Sequence, residues 1–369
     1  MGGNALTNTK RLTTADHQRL ATRLIPLLKQ SFKFAAVPRY LPTKESHGDF
    51  DVVVTSGHGL SLSELKNILA LSSDTEAVLN GDMASLCVEG FQMDVTAIKP
   101  ESSCSCDRTA QHHQEVFDAH VGFMDWGDLS RIIGVVAKRM GLIYSSLGLI
   151  APVMSSDVTA SPPVSKETPL KIDQIVLTHS IPQALEYLKY PSQKWIDGFQ
   201  NDLELFEFIV SSPFFSRLDV LSWLLKAKAG DKVRPGVVKF RDYLLELNGG
   251  VEPTDEQVSQ ERLDKYSAKV EAIVAFGKMS TFETILREYK EKCRVDAAMK
   301  IAFSGDVIMA VIGQTSGKNV GIVKERVRKL LIQSTSSESD PDAWKKQVAN
   351  MPKENIDALI QRIWSDIQK

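Results

Sequence analysis

The apolar and polar positions change their rhythm once along this chain. Residues 13–32, "TTADHQRLATRLIPLLKQSF", place Leu20, Leu24, Leu27 and Leu28 on one helical face behind a Thr13 or Thr14 cap. A short strand broken by Pro38 follows in "FKFAAVPRYL", then a turn and the strand "DFDVVVT" at 49–55. "SLSELKNILALS" predicts a helix opened by a Ser61–Glu64 capping box. "EAVLNG", "MASLCVEG" and "FQMDVTAIKP" read as successive strands joined by Gly-containing turns. "TAQHHQEVFDAH" and "DLSRIIGVVAKRMG" are helical, the second closing on Gly141. From "SIPQALEYLKY" the rhythm stays helical almost to the last residue. Strands and helices first, then helices alone, predict an α+β fold: a small mixed sheet flanked by helices, followed by an all-α C-terminal region. The Ser- and Pro-rich stretch 155–169 is the clearest flexible segment, and a second loop spans 334–343. The expected segments are 1–154, 155–230 and 231–369, the last a candidate nucleic-acid-binding domain.

Composition narrows the setting. A formal net charge of −2 over 369 residues argues against a protein that coats nucleic acid by bulk attraction, while leaving room for a local basic groove. Four cysteines in so long a chain make no disulfide framework. A reducing intracellular compartment is expected, the cytoplasm first, with nuclear or mitochondrial placement as alternatives. The first 20 residues lack the apolar core of a secretory signal, and no apolar run reaches membrane-spanning length.

The chemistry concentrates in "KESHGDFDVVVT", residues 44–55. In a strand, positions i and i+2 share a face, so Asp49 and Asp51 project together while Phe50 points into a core. Two anions side by side repel, the more so as water is excluded. Taken alone, the pair is equally well read as turn chemistry, since Asp is common at loop ends. Asp94 shifts the balance, because it stands alone among the apolar neighbours of "FQMDVTAIKP". If that strand lies beside 49–55, three carboxylates meet on one face. Oxygen-only ligands of this kind suit Mg²⁺ or Mn²⁺.

"ESHGDFDVVVT" followed by "FQMDVTAIKP" resembles the nucleotidyltransferase superfamily of DNA polymerase beta, which has a Gly-Asp-x-Asp strand and a third Asp on a nearby strand. The likeness to family X DNA polymerases continues through "FDAHVGFMDWGDLSRIIGVVAKRMGLIYSSLGLIAP" and "DQIVLTHSIPQALEYLKY", covering roughly residues 14 to 190. It implies a palm domain, NTP as substrate and transfer of a nucleoside monophosphate. Asp49, Asp51 and Asp94 would then be the catalytic, metal-holding carboxylates. Trp126 and Gly127, in "FMDWGDLS", fall where the sugar and base of the nucleotide pack; Trp126 reads as a stacking face or as a core aromatic. The family's triphosphate-gripping Gly-Ser should fall near Val37 to Arg39, where this chain reads "AAVPRYLPTK". Arg39, Lys44, Ser46 and the Gly48 backbone are the substitutes expected to contact phosphate.

A second likeness lies in "AFSGDVIMAVIGQTSGKNVGIVKERVRKLL", residues 302–331, which resembles the closing helical module of bacterial-type CCA-adding enzymes and related poly(A) polymerases. Lys318, Lys324, Arg328 and Lys329 are its candidate nucleic-acid contacts, and an ordinary solvated helix face is the alternative. The tail favours an RNA 3′ end, tRNA-like and without a template; the palm favours DNA. Alternatives are a non-catalytic nucleic-acid-binding protein and an enzyme that nucleotidylates protein. The motifs by which CCA-adding enzymes choose CTP and ATP are not visible. Cys104, Cys106, His112 and His113 do not match common zinc spacings and read as loop and surface residues. The P-loop signature is absent from the sequence.

Overall fold

A computed structural model describes residues 5–99, 110–127, 129–158, 169–226, 235–251, 254, 264–313, 319–335 and 342–369. Among them the architecture is α+β, the class expected from the sequence. The opening elements are β1 (Leu12–Thr13), α1 (Thr14–Ser31), β2 (Ala35–Ala36), β3 (Ser46–His47) and β4 (Phe50–Thr55). There follow α2 (Leu62–Ile68), β5 (Ala77–Asn80), β6 (Met83–Val88), β7 (Phe91–Ile98), α3 (Ala110–Met124) and α4 (Leu129–Arg139). Strands β8 (Ile143–Ser145), β9 (Gly148–Met154) and β10 (Lys171–Thr178) close the β-containing part, and from Ile181 the described elements are helices.

The main sheet has five strands in the order β2-β4-β7-β6-β5. Strands β4 and β7 run parallel, and the remaining pairs are antiparallel. Helix α1 starts where Thr13 and Asp16 form a reciprocal capping box, satisfying two amide donors that the first turn leaves without partners. Its buried stripe of Leu20, Leu24 and Leu28 packs on Phe50, Val52, Val54, Met93, Val95 and Ala97 of the sheet. Those six strand residues alternate in sequence, as one face of a pleated sheet requires. On the other face Val53 and Ile98 pack with Val116 and Phe117 of α3. A strand covered on both faces is why "VVV" in β4 shows no hydrophobic alternation.

The chain divides into two compact units. One comprises residues 1–153 with 173–279, so the helices between β10 and residue 279 cluster with the sheet. The other comprises 154–172 with 280–369. It has its own core, in which Ile308, Val323, Val327, Trp344, Ile360 and Ile363 are buried together. No helix among the described residues is long and apolar enough to cross a membrane.

Candidate metal centre

Parallel pairing of β4 with β7 sets Asp51 directly beside Asp94. Because each strand alternates, the register that sends Phe50, Val52, Met93 and Val95 into the α1 core sends both carboxylates to the opposite face. Asp49 lies one residue before β4 and joins them. One carboxylate oxygen from each of Asp49, Asp51 and Asp94 lies within 4.8 Å of the others. Asp94 is 6% exposed, and Asp49 and Asp51 are half-buried. No other group of three His, Cys, Asp or Glu side chains among the described residues comes together in this way. Three carboxylate oxygens at this spacing could hold a metal ion.

Two buried neighbours that sequence reasoning missed hold Asp94. Ser85, its cross-strand partner on β6, donates its hydroxyl to Oδ1 at 2.6 Å. Gln92, two residues earlier on the same face of β7, donates from Nε2 to Oδ1 at 2.9 Å and to Oδ2 at 3.0 Å. The available signal was a polar residue two places before Asp94, on the same face of a mostly apolar strand.

Arg39 has partners within the protein. Its Nε donates to Asp125 Oδ2 at 2.8 Å, and its Nη1 donates to the carbonyls of Trp195 at 3.1 Å and Ile196 at 3.0 Å. Its backbone N–H donates to Asp125 Oδ1 at 2.6 Å, and the guanidinium lies 4.7 Å from the centre of the Trp126 ring. Burial raises the pKa of Asp125, an effect that the Arg39 contacts oppose. Arg39, expected from the sequence to contact phosphate, is tied within the protein in this way while its side chain stays 38% exposed. A buried carboxylate attracts the nearest cation, and here that cation is Arg39.

Trp126 is 8% exposed and meets Phe199 and Trp195 edge to face, so of its two readings the core aromatic describes its surroundings. Trp126 and Gly127 both have positive φ, at 61° and 69°, in the turn between α3 and α4. Lys44 is exposed, and its carbonyl accepts the Thr14 hydroxyl. The Ser46 hydroxyl accepts from Arg11 Nε at 3.3 Å and Nη2 at 3.2 Å. Gly48 is half-buried in the bend before Asp49. His47, between Ser46 and Gly48 in the chain, is buried against His17 and Tyr40. Burial, then the positive charge of Lys44, holds the His17 pKa down to about 4 and the His47 pKa down to about 3.

Lys318 lies outside the described residues, as do Cys104 and Cys106. Lys324, Arg328 and Lys329 are exposed on the helix Val320–Thr335, opposite Val323, Val327 and Leu331, which enter the core. Glu325 pairs with Arg328 at 3.9 Å and Lys329 at 3.7 Å, which offsets part of their charge. His112 and His113 lie on α3. Comparison of the chain with protein-family models and with curated proteins gives no match.

Proposed function

We propose that this chain is a divalent-cation-dependent nucleotidyltransferase that moves a nucleoside monophosphate from an NTP to the 3′-hydroxyl of a nucleic acid, RNA before DNA. The observation that carries the reading is the convergence of Asp49, Asp51 and Asp94 from two parallel strands. The resemblance of "GDFD" and "FQMD" to the polymerase beta superfamily supports it from the sequence side. In the reaction the acceptor oxygen bonds to the α-phosphorus, the bond from that phosphorus to the bridging oxygen breaks, and pyrophosphate leaves. Mg²⁺ or Mn²⁺, when bound, neutralises the triphosphate and stabilises the attacking and leaving oxygens. Asp49, Asp51 and Asp94 would hold that charge, and Asp94 would orient the acceptor hydroxyl and take up its proton. The remaining catalysis is positioning and fixed electrostatics.

A second reading is favoured by one specific observation. Arg39 and the Ser46 hydroxyl, two of the four expected phosphate contacts, are engaged with protein groups. A nucleic-acid-binding protein that keeps this fold without NTP turnover would have that property.

Purified protein incubated with Mg²⁺ or Mn²⁺, each α-³²P-NTP in turn, and a pool of total RNA and primed DNA separates them. Nuclease-sensitive label on RNA is expected, and the Asp49→Ala/Asp51→Ala double variant should lower it by about 10³-fold or more. Label on no acceptor, with RNA binding that ignores Mg²⁺, would overturn catalysis in favour of the second reading. Label on protein that resists nuclease would instead move the acceptor from nucleic acid to a protein hydroxyl.

A further inference from the structure

We infer that Gln92 is a positioning residue for Asp94, held in its working orientation by the backbone of residues 5 and 6. The inference rests on reading the three carboxylates as a cation site.

Gln92 is 1% exposed, so its amide must find all of its partners within the protein. Its Oε1 accepts from the backbone N–H of Ala5 at 3.0 Å and of Leu6 at 3.3 Å. Its Nε2 donates to both oxygens of Asp94. A backbone N–H can only donate and a carboxylate, when ionised, can only accept. The reversed amide would set Nε2 against two donors and Oε1 against two acceptors. Only one orientation is therefore allowed, and it aims N–H at Asp94. The N-terminal segment is fixed in turn: Thr7 donates its N–H to Glu76 at 3.1 Å, and Lys10 donates its N–H to the Gly90 carbonyl at 2.9 Å.

The chemical purpose follows from the softness of an aspartate's last torsion, whose energy well is broad. A donor that reaches both oxygens, with Ser85 Oγ on Oδ1, holds the carboxylate plane. Among the described residues, Oδ1 then carries Ser85 and Gln92, whereas Oδ2 carries Gln92 and keeps more lone-pair capacity for a cation. Mg²⁺ demands near-ideal octahedral geometry, so a ligand fixed in advance binds it with less reordering.

The test is Mn²⁺ affinity, read by electron paramagnetic resonance of the free ion, with circular dichroism and urea unfolding in parallel. Wild type, Asp49→Ala/Asp51→Ala, Gln92→Met, Gln92→Glu and Ser85→Ala are compared. Wild-type binding that vanishes in the Asp double variant establishes the cation site. Gln92→Met should then weaken Mn²⁺ by roughly 10- to 100-fold in folded protein. Gln92→Glu still accepts from Ala5 and Leu6 but turns an oxygen toward Asp94, and it should weaken Mn²⁺ as well. If Gln92→Met fails to fold, loss of affinity in folded Ser85→Ala supports a carboxylate that needs its donors. Wild-type affinity in the folded Gln92 variants overturns the positioning role and leaves the cation site standing. A wild type that binds no Mn²⁺ overturns the site itself, and the positioning role with it.

Discussion

Arg39 was singled out from the sequence because a cation near Val37–Arg39 is where a triphosphate would need one. Within the protein it pairs with Asp125, 86 residues away, a separation no local pattern reveals. Asp125 is 5% exposed at its side chain, so removing the guanidinium leaves a buried carboxylate uncompensated. Arg39→Met should therefore cost about 3 kcal/mol in urea unfolding, and Asp125→Asn, which retains an acceptor for the Arg39 N–H, distinctly less. A loss of NTP affinity with full stability would instead return Arg39 to the phosphate. The three aspartates were legible for the opposite reason. An ionisable residue inside an apolar strand is conspicuous in one dimension, because burial makes it costly without a partner. Ser85 and Gln92 were not, since a neutral polar residue in a strand has many ordinary explanations.

Among elements, α1 and the strands β4, β6 and β7 were readable because their apolar positions repeat with the period of the structure they form. Pairing partners were not readable. Strand β4 pairs with β7 across α2, β5 and β6, and only that choice sets Asp51 beside Asp94. The β8–β9 hairpin shows how little room some connections leave. Gly148 faces Ser145 in register and has φ of +97°, where L side chains are strained. A Cβ there would lie 2.0 Å from the Thr178 carbonyl oxygen on β10, a backbone atom that cannot rotate away. Gly148→Ala should destabilise the protein by about 3 kcal/mol or more, measured by urea unfolding. A change within 0.5 kcal/mol would mean that β10 yields readily at that point.

At the scale of the whole molecule, the seven histidines all fall at or before His179, and none falls in 154–172 or 280–369. Their titration therefore bears on the unit that contains the sheet. His17, His47, His120 and His179 are all held below the usual histidine value, with burial the first cause in each. The native state keeps them neutral, while the unfolded chain takes up protons once pH falls below about 6.5. Their contribution is complete above that pH and is lost as pH falls toward the folded values, about 4 for His17 and about 3 for His47. Each of these two should remove about 1.4 kcal/mol per pH unit in that window. Urea midpoints should hold from pH 7.5 to about 6.5 and fall from there to pH 4.5, and His17→Phe should flatten that fall. A midpoint independent of pH across the range would mean that these rings take up protons alike in the folded and unfolded protein.

The core under α1 runs from Leu12 to Ala97, and the three aspartates, Ser85 and Gln92 fall within that same stretch of chain, with the Ala5 partner of Gln92 just before it. During synthesis the domain nearest the N-terminus folds first, and contacts close in sequence form soonest. The ribosome therefore releases every residue of the acidic cluster, and the layer that supports it, before residues 98–369 are made. A cation captured at that stage would stabilise the nascent sheet by mass action, so that supply of the ion would govern the yield of folded protein as well as its chemistry.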